Sequence, residues 1–216
     1  MPDPYHPLFL EKKKHVDIST SRLPHWHQDH KVQFVTFRLA DSLPQEKINE
    51  YKSIKKQWTD KHPLPWDNAA KDAFHNFVGQ KIDYWIDQGY GSCILKEEKI
   101  RKMIVESLMF YDNVKYFLYH YVIMPNHVHL LASPIEPYTI TEVIGRAKQY
   151  TAKEINKLSG HHGPVWQHSM FDRMVRDEND FDRYVNYINN NPNNLPIGTF
   201  TIGGRASLPD QGKKEI

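Results

Sequence analysis

Apolar and polar residues along this chain fall into blocks of two distinct periods. Residues 32–40 (VQFVTFRLA) are β-branched and aromatic and read as a strand, broken by Ser42, Leu43 and Pro44. Helical segments follow at roughly 45–59 and, after the interruption at Pro63 and Pro65, at 68–87, with Gly89 and Gly91 as punctuation. Over residues 97–111, Ile100, Ile104, Leu108 and Tyr111 recur at helical spacing. Two apolar runs, 115–124 and 127–132, flank Pro125 and Asn126 and read as strands joined by a tight turn. Residues 139–159 carry the strongest helical pattern, opened by a Thr139/Glu142 capping box and stopped by Gly160. Residues 170–176 (MFDRMVR) alternate as a strand does. Residues 178–190 place Phe181, Tyr184, Val185 and Ile188 on one helical face before Asn191 and Pro192 end it.

In order, these elements are strand, helices, strand, strand, helix, strand, with an additional helix at the end. That is the βαββαβ series of a ferredoxin-like α+β sandwich, expected over residues 32–197. Residues 1–31 are polar, with His6, His15, His25, His27, His30 and the basic run Lys12, Lys13 and Lys14, and read as an irregular arm. From residue 198 onward the chain holds four of its ten glycines and almost no core material, which predicts a mobile tail.

Composition narrows the function classes. With 216 residues, 39% hydrophobic and 25% charged, the chain has material for a sizeable core, which excludes wholesale disorder. The formal charge is only +2, so a nucleic-acid-binding surface has to come from local clustering. One cysteine, Cys93, excludes a disulfide framework and a cysteine-rich zinc site, and fits a reducing cytoplasm. There is no run of 18 apolar residues, so no membrane span is expected. The first residues lack the apolar segment of a signal peptide.

The sharpest local feature is His127-Val128-His129. On a strand, residues i and i+2 point to the same face, so both imidazoles project together and can chelate one cation. Two histidines on a solvated strand face remain the bland alternative. A histidine-triad hydrolase needs a third histidine two residues on, where Leu131 stands instead. A structural zinc site needs two more soft ligands, which Cys93 alone does not supply.

A helical wheel for residues 140–158, centred on Ala147, gathers Ile140, Val143, Ile144, Ala147, Thr151 and Leu158 within about 60°, with Ile155 just beyond. Glu154 falls inside this apolar stripe, where a carboxylate needs a cation or a strong partner. Tyr150 lies on the stripe's edge one turn earlier, and Arg146, Lys153 and Lys157 cluster beyond it. The functional reading joins Glu154 to His127 and His129 around a hard divalent ion. Tyr150 then sits beside the ion as nucleophile, with the basic flank carrying a phosphodiester backbone. The competing reading makes Tyr150 an amphipathic edge residue and pairs Glu154 with a lysine.

These residues resemble a known family. Residues 122–131 (VIMPNHVHLL) resemble the HUH motif of single-strand DNA transposases, in which U is a bulky apolar residue. Residues 148–156 (KQYTAKEIN) resemble their nucleophile helix. Residues 163–167 (GPVWQ), 171–178 (FDRMVRDE) and 187–192 (YINNNP) look like the REP-associated tyrosine transposases, domesticated relatives of insertion-sequence transposases. The resemblance covers roughly residues 30–197. It implies one catalytic tyrosine at Tyr150, metal ligands at His127 and His129, a divalent cofactor (Mg²⁺ or Mn²⁺) and no ATP. Insertion-sequence relatives place a glutamine four residues after the tyrosine as third ligand; here that position is Glu154. The implied substrate is single-stranded, hairpin-forming REP-like palindromic DNA preceded by a short 5′ tetranucleotide. The implied intermediate is a 5′-phosphotyrosine. Insertion-sequence enzymes are dimers with exchanged nucleophile helices, whereas the REP-associated group implies a monomer; both stay open here.

Further DNA contacts are expected from Trp166 and Gln167, by stacking on or bonding to a base, with a loop anchor as the alternative for Trp166. Arg173 and Arg38 are expected to meet phosphates, with an ion pair such as Arg173 to Asp172 as the alternative, and the basic N-terminal arm either to grip the 5′ tetranucleotide or the stem or to be a solvated tail. The asparagine run 189–191 reads as a helix cap. Two competitors stand beside the transferase. One is a catalytically silent module of the same fold that only holds a DNA or RNA hairpin. The other is a relaxase or replication-initiator nuclease, which places its nucleophile differently.

Overall fold

The computed structural model describes residues 9, 17–20, 24–27, 30–64, 66, 68–160 and 162–205. Its centre is an antiparallel sheet of β3 (Gln33–Arg38), β4 (Tyr116–Ile123), β5 (His127–Pro134), β6 (Phe171–Met174) and β7 (Thr201–Gly204), in the order β6-β3-β5-β4-β7. Without β7 this is the strand order of a ferredoxin-like sandwich, with α3 (Glu98–Met109) and α4 (Ile140–Ser159) as its two crossover helices. The α+β class and the predicted elements from residue 32 to 190 are therefore observed. The helical hairpin of α1 (Gln45–Lys61) and α2 (Asn68–Asp87) is inserted after β3, and α5 (Glu178–Asn190) follows β6.

Period-2 alternation gives the sheet two apolar faces. On one, Val35, Phe37, Val128 and Leu130 pack against Ile100, Ile104 and Leu108 of α3 and Val143, Ile144 and Ala147 of α4. On the other, Phe34, Val122 and Leu131 pack against Phe181, Tyr184 and Ile188 of α5. The sheet is thus the middle of three layers. Helix α4 begins at the predicted capping box and ends at Gly160 in the left-handed conformation (φ 65°). Its buried stripe is the predicted one except that Lys148 is buried as well and that, at the end, Leu158 is exposed and Ile155 is buried instead. No helix among the described residues is long and apolar enough to cross a membrane.

Two expectations at the ends need correction. Within the expected irregular arm, β1 (Asp17–Thr20) pairs antiparallel with β2 (Pro24–His27); Lys12, Lys13 and Lys14 lie outside the described residues. Within the expected mobile tail, β7 extends the sheet beside β4, and Arg205 bonds both carboxylate oxygens of Asp112. The glycines that suggested looseness meet a packing requirement. A Cβ on Gly203 would sit 2.3 Å from the Tyr121 hydroxyl, and one on Gly204 would sit 2.3 Å from the Tyr119 carbonyl oxygen. Residues 206–216 lie outside the described residues.

Candidate metal and nucleophile site

Strand alternation places His127, His129 and Leu131 on the α5 side of the sheet, opposite Val128 and Leu130. Both imidazoles are fully buried, with rings 4.5 Å apart. Each has one nitrogen engaged and one orphaned. His127 Nδ1 lies 2.8 Å from Asn126 Oδ1, and His129 Nδ1 lies 2.7 Å from Thr36 Oγ1 on β3, while both Nε2 atoms are buried without a hydrogen-bond partner. The Asn126 amide nitrogen donates to the carbonyls of Ile86 and Tyr90, which fixes its oxygen as the acceptor facing His127. His127 therefore carries its proton on Nδ1 and presents the Nε2 lone pair. Thr36 Oγ1 can accept from Nδ1–H in the same tautomer of His129. Burial holds both rings neutral: His127 well below the ordinary histidine range, aided by His129, and His129 down to about 3. Neutral imidazoles with a free Nε2, each oriented through Nδ1, form a ligand pair with its supporting shell in place.

Two helices complete the cluster. Helix α2 ends at Asp87, whose Oδ1 lies 3.6 Å from His127 Nε2. One ligand atom from each of Asp87, His127 and His129 falls within 4.8 Å of the others. Ligands bonded to one ion at about 2.0–2.3 Å lie about 3–4.5 Å apart, so the donor set fits a single divalent cation. Burial pushes the Asp87 carboxyl up to about 6. Burial, and then Asp87, pushes Asp83, one turn earlier, up to about 7. A cation would relieve both penalties. Helix α5 brings Tyr187, whose ring lies 5.2 Å from that of His129. Its hydroxyl is buried, and so is the Oδ1 of Asn191, the hydrogen-bonding side chain beside it four residues on. Burial, then Asp83 and Asp87, raises the phenol above its ordinary value and holds it protonated. Tyr184 stacks on Phe34 at 4.3 Å and accepts a long hydrogen bond from Arg173, so its hydroxyl is already engaged.

With this geometry in view, the chain can be set beside known proteins. Residues 93–191 match the family model "Transposase IS200 like". This bears out the resemblance read from the HUH-like block, at the level of the transposase family. The transposase match contains β4, β5, α4, β6 and α5, and so His127, His129 and Tyr187; Asp83 and Asp87 on α2 lie outside it. Among solved structures, one described as a REP-associated tyrosine transposase bound to a REP hairpin is 14% identical, with 81% of this chain and 74% of that chain covered and a TM-score of 0.45. No curated protein matches the chain.

The structure does not bring the expected tyrosine and carboxylate to the histidines. Tyr150 and Glu154 lie on α4, which packs on the opposite face of the sheet. Tyr150 is 54% exposed and lines a groove of about 390 Å³ with Glu106, Phe110, Tyr111 and Arg146. Helix α4 is anchored in the core through Val143, Ile144 and Ala147. Arg146, Lys153 and Lys157 go with it, away from the imidazoles. Trp166 is also corrected: it is 6% exposed, packs edge-to-face on Phe37, and donates from Nε1 to Thr151 Oγ1. It is the loop anchor and has no face free for a base. Gln167 is tied by its backbone, its N–H to Arg38 and its carbonyl to Lys148 Nζ.

Arg38 and Arg173 do lie on the histidine side. Arg38 is the cross-strand partner of His127, and Arg173 that of Phe34. Arg38 donates to the Leu39 carbonyl and to Ser42 Oγ, and burial lowers its guanidinium to about 10. The asparagine run closes α5 as expected: Asn191 is its C-cap, with its N–H on the Tyr187 carbonyl at 2.9 Å, while Asn189 bonds His120 Nε2 at 2.8 Å. Sequence reasoning missed Tyr187 and Asp87. The signals were a tyrosine directly beside the Tyr184/Ile188 stripe, and two aspartates at i and i+4 just ahead of Gly89.

Proposed function

We propose that this protein is a metal-dependent single-stranded DNA endonuclease and strand transferase that uses Tyr187 as its nucleophile. The observation that carries the reading is the gathering, on one sheet face, of two buried, orphaned imidazole Nε2 atoms, the partly exposed Asp87 carboxylate and the buried Tyr187 hydroxyl. The match of residues 93–191 to IS200-like transposases supports it. The substrate, a REP-like hairpin with a 5′ tetranucleotide, rests on the sequence resemblance.

His127 Nε2, His129 Nε2 and a carboxylate oxygen of Asp87 would hold Mg²⁺ or Mn²⁺, which supplies charge neutralisation at the scissile phosphate. The chain's own groups do the rest. Thr36 and Asn126 fix both imidazoles so that their lone pairs converge. Asp83, whose charge raises the Tyr187 phenol, is proposed to take the proton from Oη. The freed Oη attacks phosphorus, an Oη–P bond forms and the P–O3′ bond breaks. The leaving 3′-oxygen gains a proton, and a 5′-phosphotyrosine remains. A 3′-hydroxyl attacking that phosphotyrosine reverses the step and joins DNA without a nucleotide cofactor. Arg38 and Arg173 flank the same face and are proposed to contact the phosphate backbone. Arg146, Lys153 and Lys157 are proposed to guide more distant DNA across the α4 face. A monomer is proposed as the working form, with α5 packed on the sheet that carries the histidines.

A silent hairpin-binding module gives no reason for several buried polar atoms without partners, each of which costs about 1–3 kcal/mol. The test is incubation with a single-stranded hairpin oligonucleotide and Mn²⁺. Cleavage that disappears with EDTA and returns with Mn²⁺ is expected. Binding without cleavage under every metal condition would leave the silent module as the better account.

A further inference from the structure

Asn126 sits at the junction of three elements and is 1% exposed. Its backbone carbonyl accepts from Leu39 N–H just beyond β3, at 2.9 Å. Its Oδ1 takes the Nδ1 proton of His127 at 2.8 Å. Its Nδ2 donates to the Ile86 carbonyl at 2.9 Å and the Tyr90 carbonyl at 3.1 Å. The Ile86 carbonyl, in the last turn of α2, also accepts from Gly89 N–H at 3.1 Å, and Tyr90 lies in the loop that follows, so the amide ties the helix end to its exit loop. Asp87 lies directly after Ile86. One planar amide thus caps the inserted helix with its nitrogen and orients an imidazole with its oxygen.

The surrounding chain makes this contact definite. Ile86 and Trp85 are buried with Leu43 against α1, and the loop after α2 is tied by Ser92 N–H donating to Asp41 at 2.7 Å. Gly91, at φ 87°, passes so close to Asp41 that a Cβ would lie 2.5 Å from its carbonyl oxygen. Rotating the Asn126 amide by 180° would set its NH₂ against the His127 N–H and its oxygen against two carbonyls, breaking all three bonds at once.

We propose that Asn126 is a positioning residue that latches the inserted helix α2 to the HUH-like strand, so that the Asp87 carboxylate and the His127 lone pair are presented together. This rests on the metal site proposed above and assigns the α1–α2 hairpin, outside the transposase match, a part in building it.

The test is a cycle of Mn²⁺ affinities measured on the purified chain without DNA, for wild type, Asn126→Asp, Asp87→Ala and the double variant. Asn126→Asp keeps an acceptor for His127 but turns an oxygen toward the Ile86 and Tyr90 carbonyls. Each single variant is expected to weaken Mn²⁺ binding about 10–100-fold, and the double variant to lose little more than the worse single. Amide exchange is expected to speed up at residues 84–90 of Asn126→Asp and to stay unchanged in β4 and β5. Asn126→Gln carries the same expectations and serves where the aspartate variant is too unstable to purify. Unchanged Mn²⁺ affinity, losses that multiply in the double variant, or unchanged exchange at 84–90 would overturn the latch. The combined change His127→Ala and His129→Ala separates the two readings. Retained Mn²⁺ binding there sinks the metal site itself, whereas lost binding there with an unaffected Asn126→Asp sinks only the latch.

Discussion

Thr36→Val isolates what the supporting shell of the histidines contributes. Thr36 Oγ1 lies 2.7 Å from His129 Nδ1, and both residues are buried. Valine replaces the hydroxyl with a methyl of similar size, so the main change is chemical. The His129 Nδ1 is left buried with no hydrogen-bond partner, which costs about 1–3 kcal/mol of stability in the metal-free protein. The ring is also freed to move its proton to Nε2, where it no longer offers a lone pair to an ion. Loss of such a second partner typically weakens metal binding about 10–100-fold, or about 1.4–2.7 kcal/mol. At saturating metal the stabilisation from binding shrinks by that same amount, because it scales with the logarithm of affinity. Urea unfolding should therefore show a larger stability loss for Thr36→Val with Mn²⁺ present than with EDTA, by about 1.4–2.7 kcal/mol. An equal loss under both conditions would refute the assignment of Thr36 as the residue that orients a metal-binding imidazole.

Three other outcomes follow from the same geometry. Because burial holds His129 at about 3 and Asp87 up at about 6, the proton that competes with the metal is on Asp87. Mn²⁺ affinity should fall as pH drops below about 6, since the carboxyl must ionise to bind, and Asp87→Asn should flatten that dependence; a flat wild-type titration from pH 5 to 7 would contradict it. Arg38→Ala and Arg173→Ala should each weaken oligonucleotide binding and reduce the salt dependence by about one phosphate contact, read by fluorescence anisotropy across a salt series. Trp166→Ala should destabilise the fold by about 3–5 kcal/mol in chemical denaturation, while the salt slope of DNA binding stays unchanged, as befits a core residue.

The sheet and both crossover helices were legible because their patterns are local. Strand alternation around Val128 and Leu130 and the Thr139/Glu142 box each suffice for their own element. The histidine pair was legible for the same reason, since i and i+2 on one strand share a face whatever surrounds them. The partner of that pair was not, because it depends on which side of the sheet each helix covers. A wheel on α4 finds Tyr150 and Glu154 beside an apolar stripe, yet carries no information that this stripe meets Val128 and Leu130 rather than the imidazoles. The proposed third ligand, Asp87, comes from α2, some 40 residues upstream, through a chain reversal set by Gly89 and Gly91 that only the folded arrangement reveals. Trp166 and the glycines of β7 misled in a related way. A tryptophan after Gly-Pro and a Gly-Gly pair look like exposed loop, whereas the first fills the core against Phe37 and the second lies under Tyr121.

The central claim, that the histidine pair works with Tyr187 on its own face of the sheet and not with Tyr150 on the other, is open to one direct measurement. Wild type, Tyr187→Phe and Tyr150→Phe are incubated with a single-stranded hairpin oligonucleotide and Mn²⁺, resolved by denaturing electrophoresis, and the covalent adduct is digested and sequenced by mass spectrometry. The account predicts a phosphotyrosine at Tyr187, no adduct in Tyr187→Phe, and an undiminished adduct in Tyr150→Phe. An adduct that survives Tyr187→Phe, or one mapped to Tyr150, would contradict it.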